Sequence, residues 1–371
     1  MVEHYFLERA YSIIIYAILA GAMSLWLLRK NTNIRMTLLV YTLILTALAY
    51  FFKPAETLDL YRLWAVAAHY KGLPLYEMIT KVAGDWNGAQ LSHIYIAVLY
   101  NIDLHLIPAV TALLFYINIF YIIADYSIRK KINHVVVGLV VFFFMSRGVY
   151  GEVLNGIRSM LAFSFIARCV YNETYNGVNI VRNIPIYLLA AFFHQAALVL
   201  VGIRFVLYVL FEKHGFDRIF YLIILIGICS VFFLYFHTNI VSAFNKADNY
   251  ISNYIFAYGW EYAFNSIYML MCIWILFYPY NRPAYSDSFR KDRKFVGSIF
   301  FICICLVVSY SIYHRFITFA GFVALPAILE ALNIDWTTKH RRRCGVLLVL
   351  SVFMLLASGL RGNLNVLRFF E

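Results

Sequence analysis

Apolar residues run in blocks of roughly 15–25 along nearly the whole chain, from Tyr5 to Leu360, separated by short polar loops. About 20 apolar residues, rising 1.5 Å each as a helix, cross a hydrocarbon layer, so such blocks predict membrane-spanning helices. They fall at 5–28, 36–52, 104–124, 219–236, 263–280, 295–312, 316–331 and 345–360, with two shorter runs at 135–146 and 157–171. The stretch 184–211 has two ends with the character of one side of a membrane, yet its about 28 residues rise only about 42 Å as helix, hardly enough for two spans. A pair of short helices turning near His194 reconciles these facts. The expected fold class is therefore all-α, a polytopic transmembrane helical bundle of about 12 helices, some short or broken, in a single integral membrane domain over 1–371. No repeat with a period of about 20–50 residues interrupts that reading.

Charge orients the helices. The net charge of +12 is concentrated in the short loops "RKNTNIR", "SIRKKINH", "FRKDRK" and "KHRRR". That is the positive-inside pattern, which meets anionic cytoplasmic lipids and argues against nucleic acid as a partner. With those loops inside, both termini lie outside, 53–103 becomes a first outer loop of balanced charge, and 237–262 a second one rich in Asn and Tyr. The segment "LYRLWAVAAHY" in the first loop is amphipathic and suits the interface. The opening apolar run lacks a small-residue cleavage site and reads as a retained helix. The six cysteines lie mostly within predicted spans and read as packing residues; a disulfide framework or zinc site is not expected.

Ionisable residues at membrane depth are costly, so each is a candidate for function. Four clusters stand out: Glu56/Asp59/Tyr61/Arg62, Arg147/Glu152/Asn155/Arg158, His194, and Tyr313/His314/Arg315. The predicted topology puts all four on the outer side. In "GEVLNGIR", Asn155 or Gly156 can cap a helix starting near 157, whose positive end together with Arg158 forms an anion site. Arg147, across a Gly-rich turn, can join Arg158 in gripping a phosphate or pyrophosphate through forked hydrogen bonds. Simpler readings stand beside these: Arg147 paired with Glu152 in an outer loop, Arg158 snorkelling to the interface, and Tyr313, His314 and Arg315 anchoring an outer turn between two spans. His194 suits either a general base or a hydrogen-bonded core histidine, and Asp59 either a base or a solvated loop carboxylate. No "DxD", "GxxxxGK[ST]", "HExxH" or "GxSxG" occurs, and the ten histidines lack metal-ligand spacing, so neither a metal nor another cofactor is expected.

"NGIRSMLAFSF", then "FFHQAALVL", then a late "YHRF" resemble, in that order, the bacterial polysaccharide polymerases of the Wzy type, particularly the EpsG-like family. Ser159 stands where that family usually has Gln, and Gln195 and Ala196 follow the histidine. Asp59 and Tyr61 are a loose counterpart of its early outer-loop feature. The resemblance implies a glycosyltransferase with the multi-spanning, lipid-linked (GT-C-like) architecture in the bacterial inner membrane, its active site facing the periplasm. Such an enzyme transfers a glycan chain from undecaprenyl pyrophosphate to a lipid-linked repeat unit, building O-antigen of lipopolysaccharide, capsule or exopolysaccharide. Its implied partners are undecaprenyl-pyrophosphate-linked oligosaccharides, membrane lipids and a chain-length regulator. On this reading Arg158, with Arg147 and Arg315, holds the pyrophosphate; Glu152, Asn155, Tyr313, His314, Tyr61 and Arg62 complete the binding set; and His194 or Asp59 takes the acceptor's proton. Two alternatives share the polytopic, arginine-bearing pattern: a lipid-linked oligosaccharide flippase or transporter, and an O-antigen ligase-type glycosyltransferase.

Overall fold

A computed structural model describes residues 2–85, 90–212, 219, 223, 259–278, 286–307, 309–333, 338–361 and 367–369. Sixteen helices account for almost all of these residues, and no strand occurs among them. The first half comprises α1 (Val2–Leu27), α2 (Ile34–Tyr50), α3 (Asp59–Ala68), α4 (Leu75–Asp85), α5 (Gln90–Ile102), α6 (Leu106–Arg129), α7 (His134–Ser146) and α8 (Val149–Asn155). There follow α9 (Ile157–Asn176), α10 (Ile180–Phe193), α11 (Gln195–Glu212), α12 (Gly259–Phe277), α13 (Asp287–Cys305), α14 (Tyr310–Val323), α15 (Leu325–Asn333) and α16 (Thr338–Arg361).

The polar loops end the apolar blocks by local chemistry. Asn33, Asn133 and Asn179 each accept a hydrogen bond from a backbone N–H in the first turn of α2, α7 and α10, so an Asn opens the helix as the chain leaves each turn. Among the described residues, four helices are long and apolar enough to cross a membrane, in α1, α6, α12 and α16. Two bent pairs, α7–α8 at 48° and α14–α15 at 51°, raise that number to six if each counts as one span. Shorter apolar helices lie in α2, α5, α10 and α11. The expected bundle of about 12 helices, some short or broken, is thus met among the described residues by a few long spans and several short or broken ones. Of the apolar window in α6, 67% is buried, against 33–44% in the other three long spans, so α6 is the most enclosed of the four and the others keep a face for lipid. On α16 that face carries Val349, Phe353, Leu356 and Leu360.

One sequence expectation gains detail, one changes and one falls largely outside the described residues. Residues 53–103, expected as the first outer loop, carry the helices α3, α4 and α5. "YHRF" is no turn: it lies inside α14, and the break between α13 and α14 comes earlier, where Val307 and Ser309 close backbone turns onto Ile304 and Leu306. Most of the predicted span 219–236 and of the loop 237–262 lies outside the described residues, while 259–262 already belong to α12.

α7 packs against α1 through Gly138, where an added Cβ would lie 2.7 Å from the Ser24 backbone oxygen. Backbones that close tolerate no side chain. Gly138→Ala is expected to wedge α1 away from α7 and cost about 1–3 kcal/mol, read as a lowered melting temperature of the purified protein. Gly21→Ala, with open space around its Cβ position, is the control expected to leave that temperature unchanged.

Candidate functional site

The break between α7 and α9 builds the site. Arg147 ends α7, and Gly148 follows at φ +77°, a left-handed conformation that glycine alone adopts without strain. The chain then turns through the short α8, stops at Gly156 and restarts as α9. Gly156 is the N-cap of α9, with its N–H bonded back to Glu152 O at 2.6 Å. A Cβ there would lie 3.0 Å from that same Glu152 oxygen, so the tight re-entry depends on glycine. Of the two caps expected, Gly156 is the one used, and Asn155 makes another contact. Its Oδ1 accepts the N–H of Asp59 at 2.9 Å, tying the start of α3 to the end of α8. The 10-residue α3 is thereby anchored over the start of α9.

A cleft of about 200 Å³ opens where these ends meet. Asp59, Glu152, Asn155, Arg158, His194, His314 and Arg315 all line it, together with Ser159, Met160, Phe163 and Thr318. Tertiary structure thus brings members of all four sequence clusters to one place. Arg158 stands in the first turn of α9, where unpaired backbone N–H groups already favour an anion. Among the described residues it has no hydrogen-bond or salt-bridge partner; Asp59 acts on it only electrostatically. Asp59 itself is paired with Arg62 at 3.5 Å, both side chains being largely exposed.

His194 occupies the break between α10 and α11, in extended conformation (φ −154°, ψ 128°). The turn expected from helix length therefore falls on the histidine itself. Its ring packs edge-on to Phe163 at 6.3 Å, and both Arg158 and Arg315 act electrostatically on it.

Arg147 does not line the cleft. It is 1% exposed and forms the wall behind it. Its guanidinium donates to Thr318 Oγ1 and, at 3.1 Å, to Asn265 Oδ1. Glu152 Oε1 lies 3.6 Å away, and the Tyr268 ring lies 4.6 Å beneath. The pairing of Arg147 with Glu152 is therefore real, but buried rather than in an outer loop. Gly321 leaves room for the Tyr268 hydroxyl, which would collide with any side chain there. Tyr313 is also buried, its hydroxyl 2.6 Å from Ser266 Oγ, and neither it nor Tyr61 nor Arg62 lines the cleft. Among the described residues, no three His, Cys, Asp or Glu side chains converge as metal ligands do.

Asn265, Thr318 and Tyr268 were not singled out from the sequence. Asn265 carried a signal all the same, as an amide within the apolar block of α12, where a polar group needs a partner.

An all-helical, multi-pass membrane protein with broken helices converging on an arginine-lined cleft is the class that this architecture defines. Within it, residues 91–363 match the EpsG family, and the chain belongs to that family. No curated protein and no solved structure matches the chain. The matched region includes α8, α9, His194 and α14, but not α3 with Asp59.

Proposed function

We propose that the chain is a polysaccharide polymerase. It transfers a growing glycan from undecaprenyl pyrophosphate to a hydroxyl of a fresh lipid-linked repeat unit at the outer face of a bacterial inner membrane. The observation that carries this reading is Arg158, an arginine without a hydrogen-bond or salt-bridge partner among the described residues, at the N-terminus of the 20-residue α9, beside Arg315 in the same cleft. That arrangement suits a diphosphate, whose charge grows as the bond from its oxygen to the sugar C1 breaks. Family membership supports the polymerase-like activity. At about 200 Å³ the cleft is below the roughly 300–1,000 Å³ of sites that engulf a drug-sized ligand. It therefore takes the diphosphate and the adjoining sugar ring, leaving the polyprenyl chain to the bilayer.

The outward orientation draws on the placement of the ends. The 13-residue α7 starts beside the basic loop 127–134 and rises about 20 Å to Arg147. Where α7 starts, Asn133 N–H donates to Asn333 at 2.8 Å, and nearby Asp125 binds Arg129 at 2.9 Å with Arg35 3.7 Å away. The basic turns thus gather at the end opposite the cleft, as a cytoplasmic face would. Loss of the protein should leave single repeat units where a terminal ligase acts, visible on a glycan gel. Unattached long polymer would instead identify a ligase, and units stranded on the inner leaflet a flippase.

A further inference from the structure

Two histidines line the cleft, and their hydrogen bonds hold their protons on different nitrogens. The Ala196 N–H donates to His194 Nδ1 at 3.1 Å. A backbone amide can only donate, so Nδ1 presents its lone pair and the proton of the neutral ring sits on Nε2. Among the described residues that Nε2 has no hydrogen-bond partner.

His314 is held the other way round. Its Nδ1 lies 3.2 Å from Asn265 Oδ1. The Asn265 amide is oriented twice over, because Nδ2 donates to Glu261 O at 2.8 Å and Oδ1 accepts from Arg147 at 3.1 Å. Turning it over would set N–H against N–H and oxygen against oxygen. Oδ1 therefore faces His314, Nδ1 carries the proton, and Nε2 presents the lone pair. Glu152 Oε1 lies 3.5 Å from that Nε2. This is too long for a good hydrogen bond, yet close enough to stabilise a positive charge on the ring.

We infer that the two cleft histidines have opposite tasks: His194 donates Nε2–H to the anionic leaving group, and His314 is the base that receives the acceptor's proton. The inference rests on the polymerase reading. In the transfer, the acceptor hydroxyl oxygen forms its bond to the donor sugar C1 while the bond from C1 to the pyrophosphate oxygen breaks. The electron pair of the broken bond leaves with the lipid pyrophosphate, whose charge meets Arg158 and the His194 N–H. The hydroxyl proton passes to His314 Nε2, and the resulting imidazolium lies against the Glu152 carboxylate. Asn265 is then a positioning residue, acting through the His314 tautomer. Arg147 has its place in the same chain, because its hydrogen bond helps to orient the Asn265 amide.

Nitrogen NMR of the full-length protein in lipid nanodiscs, with the histidine rings labelled, reads the tautomers directly once His194→Gln and His314→Gln have assigned the signals. Nε2–H is expected for His194 and Nδ1–H for His314; one tautomer shared by both overturns the inference. Glutamine can donate a hydrogen bond but takes up no proton at neutral pH, so the same variants divide the roles in cells. His194→Gln should keep polymer within about tenfold of wild type, as one replaceable donor, and His194→Ala should lose more. His314→Gln should lose about 10²–10⁴-fold, the range of a missing general base. The reverse ranking overturns the assignment. Asn265→Asp, which keeps an acceptor for His314 Nδ1–H, should retain polymer that Asn265→Leu loses; equal loss in both overturns the positioning role. Binding of undecaprenyl pyrophosphate to the purified protein separates the two levels of the argument. If wild type fails to bind it, the polymerase reading falls. If wild type and His314→Gln bind it equally and His314→Gln still makes full-length polymer, the reading stands and only the histidine assignment falls.

Discussion

Arg158→Ala is expected to lower polymer formation by about two to three orders of magnitude, the range seen when one group that stabilises developing negative charge is removed. The protein itself should accumulate normally. Arg158 has no hydrogen-bond or salt-bridge partner among the described residues, so its removal leaves no buried carboxylate uncompensated. Arg158→Lys should recover only part of the loss, because an ammonium is a point charge and cannot fork across two phosphate oxygens as a guanidinium does. Glycan gels of cells carrying each variant, read beside immunoblots of the membrane fraction, check both halves of the expectation. Long chains of normal abundance from Arg158→Ala would remove the centre of the proposed function.

Arg147→Ala should fail differently, through folding. Arg147 is 1% exposed and Glu152 8% exposed, so deleting the cation strands a buried carboxylate and opens a void above Tyr268. Breaking a buried pair from one side costs about 3–5 kcal/mol. That is comparable to the whole stability of many proteins, and the variant should be scarce in the membrane with a sharply lowered melting temperature. Arg147→Met combined with Glu152→Gln removes both charges and keeps the volume, so it should recover much of the abundance. Polymer should not return with it, since His314 would have lost the carboxylate that stabilises its charged form. If Arg147→Ala were as abundant as wild type, the wall behind the cleft would not depend on this pair.

The contrast between the two arginines marks how far the sequence could be read. "RGVYGEVLNGIR" places both in one interruption between apolar runs, eleven residues apart, and either could equally have faced a ligand. What separates them is the 48° bend at Gly148, which turns Arg147 inward while α9 starts with Arg158 facing the cleft. Helix length against bilayer thickness was enough to find the turn at His194, because too few residues for two spans must bend somewhere. The same reasoning misplaced the turn near "YHRF": two apolar blocks separated by three polar residues look like a hairpin. Those polar residues lie inside α14, where Asn265 and Glu152 receive His314 and remove the need for a solvent-facing turn.

The sequence by itself determined the solvent and the class: long apolar blocks require a bilayer, a bilayer requires helices that satisfy their own backbone, and basic loops give those helices a direction. It also named the ionisable side chains that meet in the cleft, since charge at membrane depth is too costly to keep without a use. Only the tertiary structure decided which of them face the cleft and which hold its wall. It alone gave Asn155 to the start of α3 and set the two histidines in opposite tautomers. Those properties depend on hydrogen-bond partners far away in the chain: Asp59 is 96 residues from Asn155, and Asn265 is 118 from Arg147. No local pattern of hydrophobic and polar positions carries such pairings, because they arise only when separate helices pack end to end around one cavity.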